Sequence, residues 1–197
     1  MPIQADETPR THTADDSREP FMKVAIWVFN ILAFLAFIAF AGLMLLGGYH
    51  GSTENETMVK IRSDPFKVMY SLTEPEELKL WIGGLTNVQM LSEDLAHVGS
   101  TARMTVEQDE TRTVMDAKIT EYEPEERIVI AYSNDKFEGR GTYLLDYRPP
   151  RTHVIYTLEI QYKTFWDKLL SPIVEGKTQE KIEHDLNELR YRVEHTP

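Results

Sequence analysis

The run from Val24 to Leu46 constrains this chain most, because it contains no charged residue and a single conventional polar one, Asn30. As an α-helix rising ~1.5 Å per residue it is about 35 Å long, enough to cross the ~30 Å hydrocarbon core of a bilayer. Apolar side chains occupy every face of such a helix, so no polar stripe remains for water. The pattern therefore predicts one membrane-spanning helix rather than a helix buried in a protein core.

The segments on either side of this run argue against a cleavable signal peptide. A signal peptide has an apolar stretch of about 7–15 residues after a short basic segment, whereas an acidic polar tail precedes this longer stretch. We therefore expect an uncleaved anchor. The predicted organisation is a disordered acidic tail (1–22), a transmembrane helix (23–47), a linker (48–56) and a folded domain (57–197).

Basic residues near the run predict its orientation. Arg18 and Lys23 lie close to its N-terminal end, whereas the first basic residue after it is Lys60. Because basic residues favour the cytoplasmic side of a membrane, we expect a cytoplasmic N-terminus and a folded domain on the extracytoplasmic side.

The composition excludes several classes of function. The formal net charge of −11, from 21 basic and 32 acidic side chains, disfavours nucleic-acid binding, since that affinity depends on Lys and Arg neutralising phosphates. The absence of cysteine excludes a disulfide framework and a thiolate metal site. The histidines show neither His-x-Glu nor His-x₃-His spacing, so we predict no metal ion and no cofactor.

From Thr57 onward the apolar pattern has period two, which is typical of half-buried strands. One strand is followed by two helix-start signals, at 63–65 (SDP) and at 73–76 (TEPE), the second in the form of a capping box. About six further strands with short turns between them predict an antiparallel meander.

The chain ends in a charged segment with one apolar stripe at helical spacing. The stripe consists of Ile182, Leu186, Leu189 and Val193. This helix is too charged to be a second membrane span, so we expect its stripe to lie on the concave face of the sheet.

Three segments in this order resemble the SRPBCC (START-like) superfamily, and within it the polyketide cyclase/dehydrase-like branch. They are 61–65 (IRSDP), 78–85 (LKLWIGGL) and 98–100 (VGS). The resemblance covers about Met58 to Glu194. It implies an α+β helix-grip fold, with a curved antiparallel sheet of about seven strands, two short helices after strand 1 and a long C-terminal helix. That helix closes over the sheet and leaves an apolar cavity.

The resemblance and the strand alternation together predict the residues around that cavity. The family segment implies that Trp81 and Leu85 stand at its mouth, and Tyr132 could supply a polar group. A plain packed core would explain each position individually. The predicted ligand-binding residues are Trp81, Leu85, Met104, Met115, Ile130, Tyr132, Tyr143, Leu158, Ile173 and Ile182. Arg103 and Asp116 fall on the outer face by alternation.

These expectations favour a single-pass membrane protein whose cavity holds a hydrophobic small molecule or a lipid, such as a quinone or a polyketide-like compound. One alternative is a cyclase or dehydratase that uses Tyr132, Tyr143 or His97 as proton donor, which requires those side chains to point into the cavity. Another is an interaction protein with a vestigial pocket, which requires a filled core and a large exposed apolar patch. The sequence shows no catalytic constellation, and it leaves the oligomeric state open.

Overall fold

A computed structural model describes residues 19–49, 52–93, 96–108 and 111–195, and in the first and last helices it describes side chains only at 27–42, 166–168 and 176–195. The chain divides into two compact units, residues 1–45 and 46–197.

Helix α1 (Glu19–Tyr49) contains the apolar run. Its large side chains are exposed, with Trp27 and Phe29 each 71% accessible. Within the described ranges, no helix is both long enough and apolar enough to cross a membrane. The expected tail (1–22) lies outside the described residues as far as residue 18, and its last four residues belong to α1.

The second unit is built on one antiparallel sheet. Its strands are β1 (Ser52–Ile61), β2 (Leu85–Met90), β3 (Thr101–Gln108), β4 (Thr111–Glu123), β5 (Arg127–Ser133), β6 (Phe137–Arg148) and β7 (Arg151–Tyr162). The spatial order is β1-β7-β6-β5-β4-β3-β2. Strands β2 to β7 form a meander, and β1 pairs with β7 at the far edge. The predicted antiparallel sheet of about seven strands is confirmed.

Strand β1 begins earlier than the sequence predicts, so residues 52–56 of the expected linker are strand. Ser52 already pairs with Gln161 of β7. The inward side chains at this end are Thr53 and Asn55, which are 7% and 6% exposed. Because the inward positions are polar here, the sequence shows no contrast between the two faces of the strand.

Two short helices, α2 (Pro65–Thr73) and α3 (Pro75–Trp81), connect β1 to β2. The Asp64 side chain caps α2 by accepting the Lys67 N–H at 2.9 Å. The capping box expected for α3 does not form, since Glu74 occupies the cap position without a side-chain bond. Thr73 still belongs to α2, and its hydroxyl donates to the Met69 carbonyl at 3.0 Å.

The C-terminal helix α4 (Phe165–His195) packs against β1, β7, α2 and α3. The predicted stripe is its buried face, where Leu186 is 2% and Leu189 0% exposed. Burying each such side chain contributes roughly 1.5–3 kcal/mol. The long C-terminal helix over the sheet is confirmed.

Candidate functional site

A cavity of about 220 Å³ remains between α4 and the sheet. Strand β6 explains part of this space, because two of its inward positions are Gly139 and Gly141. A Cβ atom at Gly141 would lie 3.0 Å from Cε2 of Tyr132 and 3.0 Å from Oη of Tyr156. A larger residue at position 141 would displace the rings of Tyr132 and Tyr156. Glycine therefore allows both rings to pack directly against this part of β6.

Most of the predicted residues surround this cavity. Seven line it, namely Trp81, Met104, Met115, Tyr132, Tyr143, Leu158 and Ile182. Ile130 lines an adjacent space of about 30 Å³. The side chain of Ile173 lies outside the described residues. Contact of these residues with a ligand stays a prediction.

The two residues expected at the mouth are both buried. Leu85 is 6% exposed and belongs to the hydrophobic core at the start of β2, and it lines neither space. Trp81 is 3% exposed, and its Nε1–H donates to the Ser71 carbonyl at 2.9 Å. Trp81 therefore forms part of the inner wall of the cavity, and its hydrogen bond to α2 fixes its orientation.

Three tyrosines from adjacent strands, Tyr132, Tyr143 and Tyr156, bring polar groups to the sheet side of the cavity. Tyr143 pairs with Tyr156 across β6 and β7, and their rings stack with centroids 4.2 Å apart. Tyr156 is within hydrogen-bonding reach of both Tyr132 and Tyr143. Burial raises the pKa of all three hydroxyls, so they remain neutral and keep their protons to donate.

Asp185 and Lys181 bring opposite charges to the α4 side of the cavity. The Asp185 carboxylate, 8% exposed, accepts the Gly83 N–H at 3.0 Å and pairs with the Lys181 ammonium. Its negative charge also raises the pKa of Tyr143 and Tyr156, after the larger effect of burial. The pair leaves this wall close to neutral.

Other candidate residues lie away from the cavity. His97 is exposed and does not line it. Arg103 Nε lies 2.7 Å from Asp116 Oδ1 in an exposed pair on the outer face, as the alternation predicts. In the part of the chain that the structure describes, no group of three or more acidic or histidine side chains could hold a metal ion.

The sequence reasoning missed several lining residues. Tyr156 had a usable signal, because it shares the alternation of Leu158. Phe137 was missed because β6 begins at Phe137, whereas the sequence alternation indicates this strand only from Tyr143 onward. The other lining residues outside the predicted set are Ile82, Val106, Gly139, Ile160, Thr178, Lys181, Asp185 and Leu186.

Solved structures resemble this chain, although no protein-family model and no curated protein sequence matches it. TTHA0849 from Thermus thermophilus is 20% identical with a TM-score of 0.62, and the match covers 72% of this chain and 97% of that one. Ara h 8.0201 is 15% identical with a TM-score of 0.59, covering 73% and 98%. A protein from Rhodobacter sphaeroides is 16% identical with a TM-score of 0.58, covering 74% and 94%.

The fold is the helix-grip fold. Ara h 8 has the Bet v1-like form of the START/SRPBCC fold, and the curved seven-stranded sheet under a long C-terminal helix is the same arrangement. At these identities the likeness concerns the fold alone. The narrower resemblance to the polyketide cyclase/dehydrase-like branch stays a prediction.

Proposed function

We propose that the helix-grip domain binds one small hydrophobic molecule in the cavity beneath α4. The observation that carries this proposal is a space of about 220 Å³ lined mainly by apolar side chains. Protein interiors are otherwise close-packed, and an unfilled apolar cavity accepts apolar guests. The helix-grip fold supports the same function, since it suits hydrophobic ligands.

The size of the cavity limits the ligand. A cavity of ~150 Å³ accepts benzene, and drug-sized ligands occupy ~300–1,000 Å³. About 220 Å³ therefore suits a molecule of one or two rings and is too small for a two-chain lipid. Among the expected ligands, compact quinone-like or polyketide-like rings fit better than membrane lipids.

We further propose that residues 24–46 anchor the chain in a membrane, with the N-terminus in the cytoplasm and the binding domain on the other side. The support is the uncharged run and the exposure of its large apolar side chains, such as Phe34 at 64% and Phe37 at 66%. Exposed apolar surface of this extent marks an interaction or membrane site. An anchor would raise the local concentration of the binding domain near bilayer-dissolved molecules.

The enzyme hypothesis has one observation in its favour, because Tyr132 and Tyr143 line the cavity. Their raised pKa values make them poor proton donors near neutral pH, where a general acid works best with a pKa close to the ambient pH. Such hydroxyls donate hydrogen bonds to a bound molecule more readily than they transfer protons. Binding without turnover is therefore the better proposal, and the cavity itself disfavours the vestigial-pocket alternative.

A matched pair of variants tests the binding proposal. Met115 lines the cavity, whereas its neighbour Val114 is 43% exposed. We would titrate the full chain in lipid nanodiscs with a neutral naphthylamine fluorophore. Met115→Trp should fill the cavity and weaken binding at least about tenfold, while Val114→Trp should bind as the wild type does. Equal binding by both variants, or none by the wild type, would overturn the proposal.

A further inference from the structure

The tyrosine cluster (Tyr132, Tyr143 and Tyr156) has one more hydroxyl hydrogen than it can pair internally. Each of the three phenols has one hydroxyl hydrogen. Tyr156 lies between Tyr132 and Tyr143, so pairing within the cluster uses at most two hydrogens. Among the described residues, no other protein acceptor takes a hydrogen bond from these hydroxyls. The hydroxyl hydrogen that the cluster does not use can therefore be donated to an acceptor on a ligand in the cavity.

Burial distinguishes the three tyrosines of the cluster. Tyr143 and Tyr156 are each 6% exposed and stack on each other, whereas Tyr132 is only half-buried. Tyr132 is therefore the tyrosine most accessible to a ligand in the cavity that it lines. Like Tyr143, it also lines the adjacent small space.

The same wall disfavours a charged ligand. Lys181 and Asp185 are the charged residues among those that line the cavity, and they are paired with each other. A carboxylate ligand would find no unpaired cation among the described lining residues, and desolvating it would be unfavourable. The acceptor on the ligand should therefore be neutral.

We propose that the ligand is a neutral one- or two-ring molecule with a carbonyl oxygen, and that the Tyr132 hydroxyl donates to that oxygen while Tyr156 orients Tyr132. This inference rests on the proposed binding function. It narrows the ligand class from hydrophobic molecules in general to ketones, quinones and esters of this size. Tyr132 acts here as a specificity-determining residue, because it favours the carbonyl compound over the hydrocarbon of the same shape.

The test uses two probes that share a bicyclic skeleton and differ in one carbonyl group, indanone and indane. Their affinities for the full chain in nanodiscs would be measured by calorimetric titration. Wild-type protein should prefer indanone by about five- to tenfold, the effect of one hydrogen bond. Tyr132→Phe should abolish that preference by lowering the affinity for indanone. Tyr147→Phe, at an exposed position on β6, should keep the preference.

The outcomes separate this inference from the proposed function. Equal binding of both probes by the wild type overturns the carbonyl inference and leaves the binding function standing. A preference that survives in Tyr132→Phe overturns the assignment to Tyr132. Binding of neither probe overturns the binding function and the inference together. The comparison of probes on the wild type needs no variant, so a Tyr132→Phe chain that fails to fold does not remove the test.

Discussion

The Asp185 carboxylate accepts the backbone N–H of Gly83 at 3.0 Å, which ties the C-terminal helix to the turn after α3. The two residues are 102 positions apart in the chain. The bond fixes α4 over the end of the cavity that Trp81 and Ile82 line.

Replacing Asp185 should therefore destabilise the domain. Asp185→Ala leaves the Gly83 N–H and the Lys181 ammonium without their partner, and we expect the free energy of unfolding to fall by about 1–3 kcal/mol. Denaturant unfolding measures this change. Glu76→Ala is the control, because the Glu76 side chain is 77% exposed in its pair with Lys79 and should matter by less than about 1 kcal/mol. Equal losses in both variants would contradict the role given to Asp185.

Alanine substitutions at Gly141 and Gly176 should change the free energy of unfolding in opposite directions. The added Cβ of Gly141→Ala would lie 3.0 Å from two tyrosine side chains, so we expect a loss of about 1–3 kcal/mol in stability. A Cβ at Gly176 of α4 would meet nothing within 4 Å apart from its chain neighbours and the backbone of its own helix. Gly176→Ala should therefore gain about 0.5–1 kcal/mol, since alanine favours the helix. Thermal unfolding of both variants checks the pair, and a neutral Gly141→Ala would show that the tyrosine cluster is loosely packed.

Alkaline pH should destabilise the domain through its buried tyrosines. Burial raises the pKa of Tyr132, Tyr143 and Tyr156, and unfolding returns each to about 10. Above that pH the unfolded chain loses protons that the folded chain keeps. The stability due to these groups is complete below pH ~10 and then falls by up to about 1.4 kcal/mol per pH unit for each tyrosine.

Denaturant unfolding at stepped pH, with phenolate absorbance read in parallel, measures that slope. Tyr156→Phe should reduce it, whereas Tyr147→Phe, exposed on β6, should leave it as it is. If the folded chain formed phenolate at pH ~10, where an exposed tyrosine ionises, the three hydroxyls would be solvated rather than buried.

Membrane anchoring predicts that a charge in the middle of the apolar run weakens insertion. Leu35→Arg should disfavour the spanning state by roughly 2.5–3.5 kcal/mol and shift the full chain away from the membrane fraction after alkaline extraction. Met58→Arg, at an exposed position of β1, should fractionate like the wild type. Recovery of the wild-type chain in the soluble fraction would refute the anchor.

The fold could be predicted from the sequence wherever the buried residues of an element recur at a regular spacing. Alternation located the strands of the meander, and the spacing of residues such as Leu186 and Leu189 located α4. The start of β1 could not be predicted, because the inward-facing Thr53 and Asn55 are polar. The two faces of the strand therefore do not differ in hydropathy at this end. Since the capping-box motif is also short, it could not show that Thr73 belongs to the preceding helix.

The cavity wall was predictable only in part, for a related reason. Apolar lining residues such as Met104 and Leu158 follow the alternation that also marks a core. Lys181 and Asp185 stand among many charged residues of α4, and the hydrogen bond that distinguishes Asp185 joins it to Gly83, 102 positions away in the chain. Leu85, which the resemblance implied at the mouth of the cavity, belongs to the hydrophobic core and lines neither space.

Native mass spectrometry of the full chain, released from nanodiscs made with natural membrane extract, tests ligand binding by the cavity most directly. The wild-type chain should retain one small neutral molecule, which Met115→Trp should lose and Val114→Trp should keep. A bare chain mass for the wild type, unchanged after indanone is added, would refute binding in this cavity.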